Sequence, residues 1–475
     1  MKNILIIFFI LISLPAAVYS QDNLKPQDQE EINEKPNKDN TTIPEGLELK
    51  KPISEKDLKK KKEKGYLIPL PLYSLDVDKG FGYGLRLVYY NNGTRDDPYF
   101  AYTPYRYRIY GQFFQTTNGW QYHQLLYEAP YFMGSLFRIK SAFTFDKNIA
   151  ATYFGTGENT LNTLTDPYGN THIKYTSFKE KIRELQEETN TAYSKYVQYI
   201  KEKPSMKVSL ERDIYKAFTR GFLGLDIANI SVTDYTGKKV LAFKADGTEE
   251  KNAIMGTTKL KEDCDANIIK GCNGGWNNVL KFGFAYDTRD FEPDPNNGLF
   301  IDTVFEISNK LIGSEHNYFQ YTFSPRFYYS PIENIADLVF TARYVFAYIS
   351  KSAPFYALDN YSFTSGSKSG MGGYSTLRGY TQNRFIGNIH SLLNFEIRWT
   401  MFDIDILNQN FAFILVPFFD TGRIFDNISN FKFSGYKYGE GIGLRTAWNQ
   451  SMVSFFDVGF SQEGVSYSMN FEHIF

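Results

Sequence analysis

The chain has 475 residues, a net charge of −1, a pI of about 6.6 and 17% aromatic residues, among them 42 Phe and 36 Tyr. That neutral balance excludes the basic surface a nucleic-acid or polyanion partner would need. Mean hydropathy is −0.38, and beyond the N-terminus no apolar stretch approaches the roughly 20 residues of a membrane-spanning helix.

Residues 1–20, MKNILIIFFILISLPAAVYS, read as a secretory signal. Lys2 supplies the positive start, Ile4 to Leu14 the apolar run, and Val18-Tyr19-Ser20 the residues before a cut. Residues 21–64 hold 11 lysines and 11 acidic residues with no aromatics, so this segment buries too little to fold and is expected to be a disordered, charged periplasmic stretch. Its end, LKKKKEK (58–64), reads as a solvated charge run or a contact for anionic headgroups.

From Gly65 onward the pattern has period two. In VSYSMNFEHIF, Val465, Tyr467, Met469, Phe471, His473 and Phe475 share one face, opposite Ser466, Ser468, Asn470 and Glu472. NFEIRWTMF sets Phe395, Ile397, Trp399 and Met401 against Glu396, Arg398 and Thr400. A soluble sandwich or propeller shares the composition but would keep its charges outside. An aromatic face opposite a charged one fits lipid outside and a wet lumen inside. The expected fold is all-β: a transmembrane barrel over 65–475 of roughly 16 antiparallel strands. These are 67–76, 81–91, 104–115, 119–129, 134–146, 205–213, 219–233, 277–289, 297–309, 317–330, 336–350, 387–402, 410–423, 436–448, 451–461 and 464–475. The three long connections, 147–204, 234–276 and 351–386, all follow odd-numbered strands, which puts them on one side of the membrane.

Within the first of these, residues 177–203 predict a surface helix over the mouth, with Ser177 and Glu180 as a capping box and Phe178, Ile182, Leu185 and Tyr193 at helical spacing. Cys264 and Cys272 can close a small disulfide loop in an exported chain, and no nearby histidine suggests a metal pair. Pro69 and Pro71 lie two apart in the first strand, where proline is tolerated mainly at an edge. Either residues 65–71 are a lead-in, or both prolines face the final strand, ending at Phe475, and leave a weak closure seam.

Four motifs in the last 200 residues carry a resemblance. YDTRDFEPDPNNG (286–298) has an Asp-x-Arg-Asp strand end, LRGY (377–380) sits in a glycine-rich loop, NFEIRW (394–399) carries Glu-x-Arg, and FFDTGRIF (418–425) carries Phe-x-Asp-x-Gly. Together they resemble the outer-membrane assembly barrels of the BamA and TamA type and the two-partner secretion transporters, the bacterial surface antigen superfamily. The resemblance implies a loop folded into the lumen before the twelfth strand, with Arg378 gripping Glu396 and Asp420. Gly379 would give room to turn, Tyr380 would pack on the inner wall, and Gly422 completes the strand motif. Asp287, Arg289 and Asp290 would form the strand-turn element. It also implies an outer-membrane monomer that meets lipid, client outer-membrane proteins or periplasmic accessory proteins. The 44-residue N-terminal segment is too short for a POTRA receptor domain, which points to a short member. Phe475, a terminal aromatic, resembles the signal by which such barrels are themselves assembled.

Assistance to protein or lipid insertion or translocation is the expected function, with a passive or gated pore lined by Arg106, Arg108, Glu211 and Arg326 as the alternative. No enzyme is expected and no cofactor: His123, His172, His316, His390 and His473 show no spacing to a nucleophile, and no HExxH or Gly-x-Ser-x-Gly occurs.

Overall fold

The computed structural model describes residues 47, 52–53, 58, 61–76, 80–215, 218–290, 295–332, 337–406, 409–448 and 452–471. The expected signal peptide, most of segment 21–64, His473 and Phe475 lie outside the described residues.

Sixteen long strands follow one another: β1 (Gly65–Asp76), β2 (Gly80–Asn91), β3 (Tyr107–Thr116), β4 (Gln121–Ala129), β5 (Phe137–Thr152), β6 (Gln198–Tyr215), β7 (Thr219–Thr233) and β8 (Val279–Asp287). The remainder are β9 (Gly298–Ser308), β10 (Tyr318–Tyr329), β11 (Leu338–Ile349), β12 (Ile389–Ile406), β13 (Gln409–Phe425), β14 (Lys437–Trp448), β15 (Met452–Ser461) and β16 (Gly464–Phe471). Each pairs antiparallel with its successor. The three-residue strand Gly274–Trp276 pairs antiparallel with the outer end of β7 and brings the sheet to 17. Among the described residues no pairing joins β1 to β16.

The wall is polar inside and apolar outside. Leu280, Phe282 and Phe284 on β8 are exposed while Lys281 between them is buried. Phe395, Ile397 and Trp399 on β12 are exposed, and Asn394, Glu396 and Arg398 are buried. Gln320, Thr322, Ser324 and Arg326 on β10 are likewise buried. Side chains alternate across a strand, so this sorting needs a non-aqueous exterior and a filled polar interior. A register shift between Thr400 and Phe402 exchanges the faces of β12, so Phe402, Ile404 and Ile406 continue the apolar surface in place of Met401.

Two expectations need correction. The helix of 177–203 is only Tyr175–Arg183. Its N-cap is Lys174 without a side-chain bond, so Ser177 lies inside the helix and makes no capping box. Phe178 and Ile182 do bury, but residues 198–204 pair with β5 and lengthen β6. Strand pairing there outweighs a helical spacing whose charged residues suit either structure. The charged segment ahead of the barrel also has placed residues. Leu47 is buried against Tyr131, Ile53 N–H donates to the Ala101 carbonyl at 2.7 Å, and Lys61 Nζ donates to the carbonyls of Phe100 and Thr103 at 2.5 and 2.6 Å.

The other connections give the barrel an elaborate mouth. Helix Lys259–Asp265 is capped by the Thr258 side chain, which accepts from Lys261 N–H, and Cys264 is bonded to Cys272. The 426–436 turn, between β13 and β14, bends back over the outer wall as a flap. Its Phe431 ring meets Phe346 of β11 and Phe425 of β13, and Tyr436 donates its hydroxyl to Ser391 of β12 at 2.9 Å. Glu158, in the connection after β5, holds the flap by accepting from Asn430 at 2.7 Å and from Arg423 at 3.0 Å.

Burial opposes the charge on Glu158, but the donors Asn430, Arg423 and the Asp426 N–H outweigh it and hold its carboxyl below its ordinary 4.5. A depressed carboxylate stabilises above its unfolded value and loses that contribution as pH falls through the folded one. Hydrogen exchange over 426–436 should therefore show full protection at neutral pH and progressive loss below about pH 4.5. Glu158→Gln should abolish that acid step; a step that persists in the variant would clear Glu158 of the role.

Candidate functional site: the arginine clasp of the lumen

The connection 350–388 does not stay outside the barrel. A hairpin of Asn360–Phe363 and Gly366–Ser369 leads into it. Lys281 Nζ on β8 donates to Ser362 Oγ at 2.9 Å, Gln320 on β10 donates to the Asn360 carbonyl at 2.7 Å, and Thr364 N–H donates to Asp302 on β9 at 3.2 Å. The following glycine-rich stretch, 372–387, turns tightly because Thr376 Oγ1 accepts from Gly372 N–H at 3.1 Å and donates to the Gly370 carbonyl at 2.8 Å. Leu377, Tyr380 and Phe385 bury against Val345, Leu392 and Ile424 of the inner wall. This apolar patch fixes where the arginine between Leu377 and Gly379 can reach.

Arg378 is 1% exposed. Its Nε and Nη2 donate to the two oxygens of Asp420 at 2.7 and 2.8 Å, a bidentate fork. Its backbone N–H adds a third bond to Asp420 at 3.0 Å. Nη1 donates to Glu396 at 2.8 Å and to Asp457 at 3.3 Å, and the guanidinium lies 3.5 Å from the centre of the Phe418 ring. Burial works against the charge, but Asp420, Glu396 and Asp457 outweigh it and raise Arg378 above the ordinary arginine value.

The carboxylates are shared. Glu396 also accepts from Arg398 at 3.1 Å and lies 3.5 Å from Arg445, which in turn hydrogen-bonds Asp457. Asn394 donates to Asp420 at 2.7 Å and to the Thr376 carbonyl at 2.6 Å, and accepts from Arg343 at 2.8 Å. Loop, β11, β12, β13, β14 and β15 thus meet in one buried polar network. Its members must stay together, because each charge is too costly to bury without the others.

The glycines around it are there for space. Gly379 has a φ of +92°, and a side chain at Gly439 of β14 would come 1.8 Å from the Arg378 carbonyl oxygen. Gly422 faces the Met371 sulfur, which a side chain would approach to 2.8 Å. The loop also grips the last hairpin. Gly379 N–H donates to Ser466 on β16 at 3.0 Å, and Ser461 at the end of β15 donates to the Gly379 carbonyl at 2.8 Å. Arg384 donates to Glu463, in the turn between these strands, at 2.8 Å.

The structure therefore brings Arg378, Glu396 and Asp420 together, with Gly379, Tyr380 and Gly422 around them. It keeps Asp287, Arg289 and Asp290 apart from this cluster. Asp287 accepts from Arg289 at 2.8 Å and from Arg220 of β7 at 2.9 Å, and Asp290 caps the backbone N–H groups of Asn296 and Asn297 at 3.0 Å. That element is a clip at the opposite end of the barrel from the long connections. Arg106 pairs with Asp97 at 3.0 Å in the turn ahead of β3, Arg108 pairs with Glu128 at 2.8 Å, and Glu211 and Arg326 face inward.

Pro69 and Pro71 are within β1, opposite Leu87 and Leu85 of β2. Lys64 exchanges backbone bonds with Asn92 and Gly93, so even-numbered positions of β1 direct their N–H groups toward β2. The two proline nitrogens lie on the other edge.

Asp457, Arg445, Arg343 and Arg384 escaped the sequence reading. The signal was present for two of them: Asp457 is the single charge of an apolar strand, and Asp457 and Arg445 are in phase with Gly459 and Gly443, small residues of the inward face.

Replacing Arg378 by Ala takes from the buried Asp420 the guanidinium that forks it and from Glu396 one of its arginines, at a cost of about 3–5 kcal/mol. The unfolding temperature read from heat-modifiable gel migration should drop. Arg378→Lys should recover only part, since an ammonium cannot fork a carboxylate and reach another. Unchanged unfolding of the Ala variant would refute the clasp.

The Omp85 superfamily domain matches residues 147–464, and a domain of unknown function, DUF5982, matches residues 43–106. No curated protein matches. Among solved structures, BamA from Haemophilus ducreyi lacking POTRA domains 1–3 aligns over 86% of this chain and 70% of its own, at 12% identity and a TM-score of 0.48. CdiB from Escherichia coli aligns over 86% and 61%, at 10% identity and 0.47, and CdiB from Acinetobacter baumannii over 86% and 60%, at 9% and 0.39. With the superfamily domain covering more than half of its length and the clasp inside that domain, this chain belongs to the Omp85 superfamily.

Proposed function

We propose that this protein is a non-enzymatic barrel of the bacterial outer membrane that helps to insert or translocate protein, or lipid, at that membrane. Its lumen is stoppered by the 350–388 connection, and its moving part is the seam between β1 and β16. The observation that carries this reading is an asymmetry at that seam. On one side, β15 and β16 are held from within by Gly379, Arg378 and Arg384. On the other, Pro69 and Pro71 remove two backbone donors from the outer edge of β1. An edge short of hydrogen bonds separates at lower cost than a fully bonded one, and the exposed edge can pair with an incoming strand. Client outer-membrane proteins and periplasmic accessory proteins are the proposed partners.

Two measurements test this. In planar bilayers the wild type should give small, flickering currents and Arg378→Ala larger, sustained ones; a steady open conductance in the wild type would favour the plain pore. Depletion in cells should lower the level of other outer-membrane proteins or disturb the lipid of the outer leaflet. Unchanged levels of both would overturn the assembly role.

A further inference from the structure

The flap at 426–436 has no part in the clasp, yet it is firmly built. Glu158 holds it from above, and the chain of hydroxyls Tyr344, Ser391 and Tyr436 ties it to the wall at 3.1 and 2.9 Å. Ser391 faces outward on β12 but is 1% exposed, because the flap covers it. Elsewhere single strand side chains meet lipid directly; here a second layer stands in front of them.

Beside the flap lies a groove of about 390 Å³ lined by Phe305, Phe319, Tyr321, Phe346, Tyr348 and Ile428, which present only apolar atoms to it. The five aromatic residues stand on β9, β10 and β11, and Ile428 forms the lip from the flap. Phe305 packs on Phe319 and Tyr321 at 6.1 and 4.7 Å, giving a continuous stiff floor. The flap leaves Ile428 62% and Phe433 86% exposed, a poor arrangement against water and a good one against acyl chains.

One lysine stands beside the lip of this groove, and a second adjoins Phe431, whose ring packs on Phe346 of its floor. Lys351, just beyond β11, donates to Asn427 beside Ile428 at 2.7 Å, and Lys432 follows Phe431 on the flap. Both lysines are exposed, and the neighbouring Asp426 is turned away, accepting from Glu158 N–H at 3.1 Å. The end of the barrel is the one that carries the long connections, which in an outer membrane is the outer leaflet.

We infer that this groove holds one acyl chain of a phosphorylated glycolipid of the outer leaflet, with Lys351 and Lys432 taking its phosphates. Two separate cations, one in the connection after β11 and one on the flap, suit a headgroup bearing more than one phosphate better than the single phosphate of a phospholipid. The site is independent of the seam and of any assembly activity.

Native mass spectrometry of the full-length detergent-solubilised protein tests the assignment, with bisphosphorylated lipid A and phosphatidylglycerol as probes. A single lipid A should remain bound at collision energies that strip phosphatidylglycerol. Reversing both cations (Lys351→Glu with Lys432→Glu) should cut its retention at least about tenfold. Ile428→Glu should do the same without touching the lysines. All of these positions are exposed, and unaltered heat-modifiable migration will show that the variants fold. Retention of phosphatidylglycerol equal to that of lipid A would assign the groove to a phospholipid and overturn the inference. So would lipid A retention indifferent to all the substitutions.

Discussion

A guanidinium with no access to water is the constraint around which this molecule is arranged. The buried charge of Arg378 is balanced inside the barrel by Asp420, Glu396 and Asp457, and burying either side without the other would be costly. The loop's arginine forks Asp420, whereas the wall's Arg398 and Arg445 are engaged with Glu396 and Asp457. The loop is thus a structural member of the barrel rather than an appendage. Its Leu377, Tyr380 and Phe385 give it an apolar seat, and the arginine fixes its depth and orientation.

The rest of the architecture follows from the same inversion of inside and outside. Charges such as Lys281, Asp302 and Glu306 turn inward, where the hairpin of 360–369 offers Ser362, Thr364 and backbone groups to them. Aromatic residues turn outward, which accounts for a composition rich in Phe and Tyr at low mean hydropathy. At the mouth the long connections build a small apolar centre of their own, around Phe178, Ile182 and Met255, and lash it to the flap through Glu158.

Much of this was legible in the residues. Period-two alternation located all sixteen strands, with Asn394, Glu396 and Arg398 on the buried face as their phase required, and the long connections fell on one side. Strand ends were read less well. β5 and β6 run longer than the alternation indicated because Asn148 and Lys201 go on pairing where apolar alternation no longer marks a strand. The helix was overextended for a related reason: Leu185 and Tyr193 are spaced for a helix but lie, buried and partly buried, in loop structure held by backbone bonds to Phe243 and Tyr196. The pairing of Arg378 was visible through family likeness, whereas Asp457 and Arg384–Glu463 were not. Their contacts arise where a loop meets a wall, and linear spacing carries no record of that meeting. The flap is the clearest such case, since nothing in 426–436 announces that it turns outward and down.

The position of the clasp within the chain bears on how the protein comes into being. Its parts are drawn from β12 to β15, with Ser466 of β16 completing the grip on Gly379. Until the final hairpin has joined the sheet, the loop lacks its bonds to Asp457, Glu463 and Ser466. Seating of the arginine therefore acts as a completeness check: the interior closes only around a polypeptide whose C-terminal strands have arrived in register.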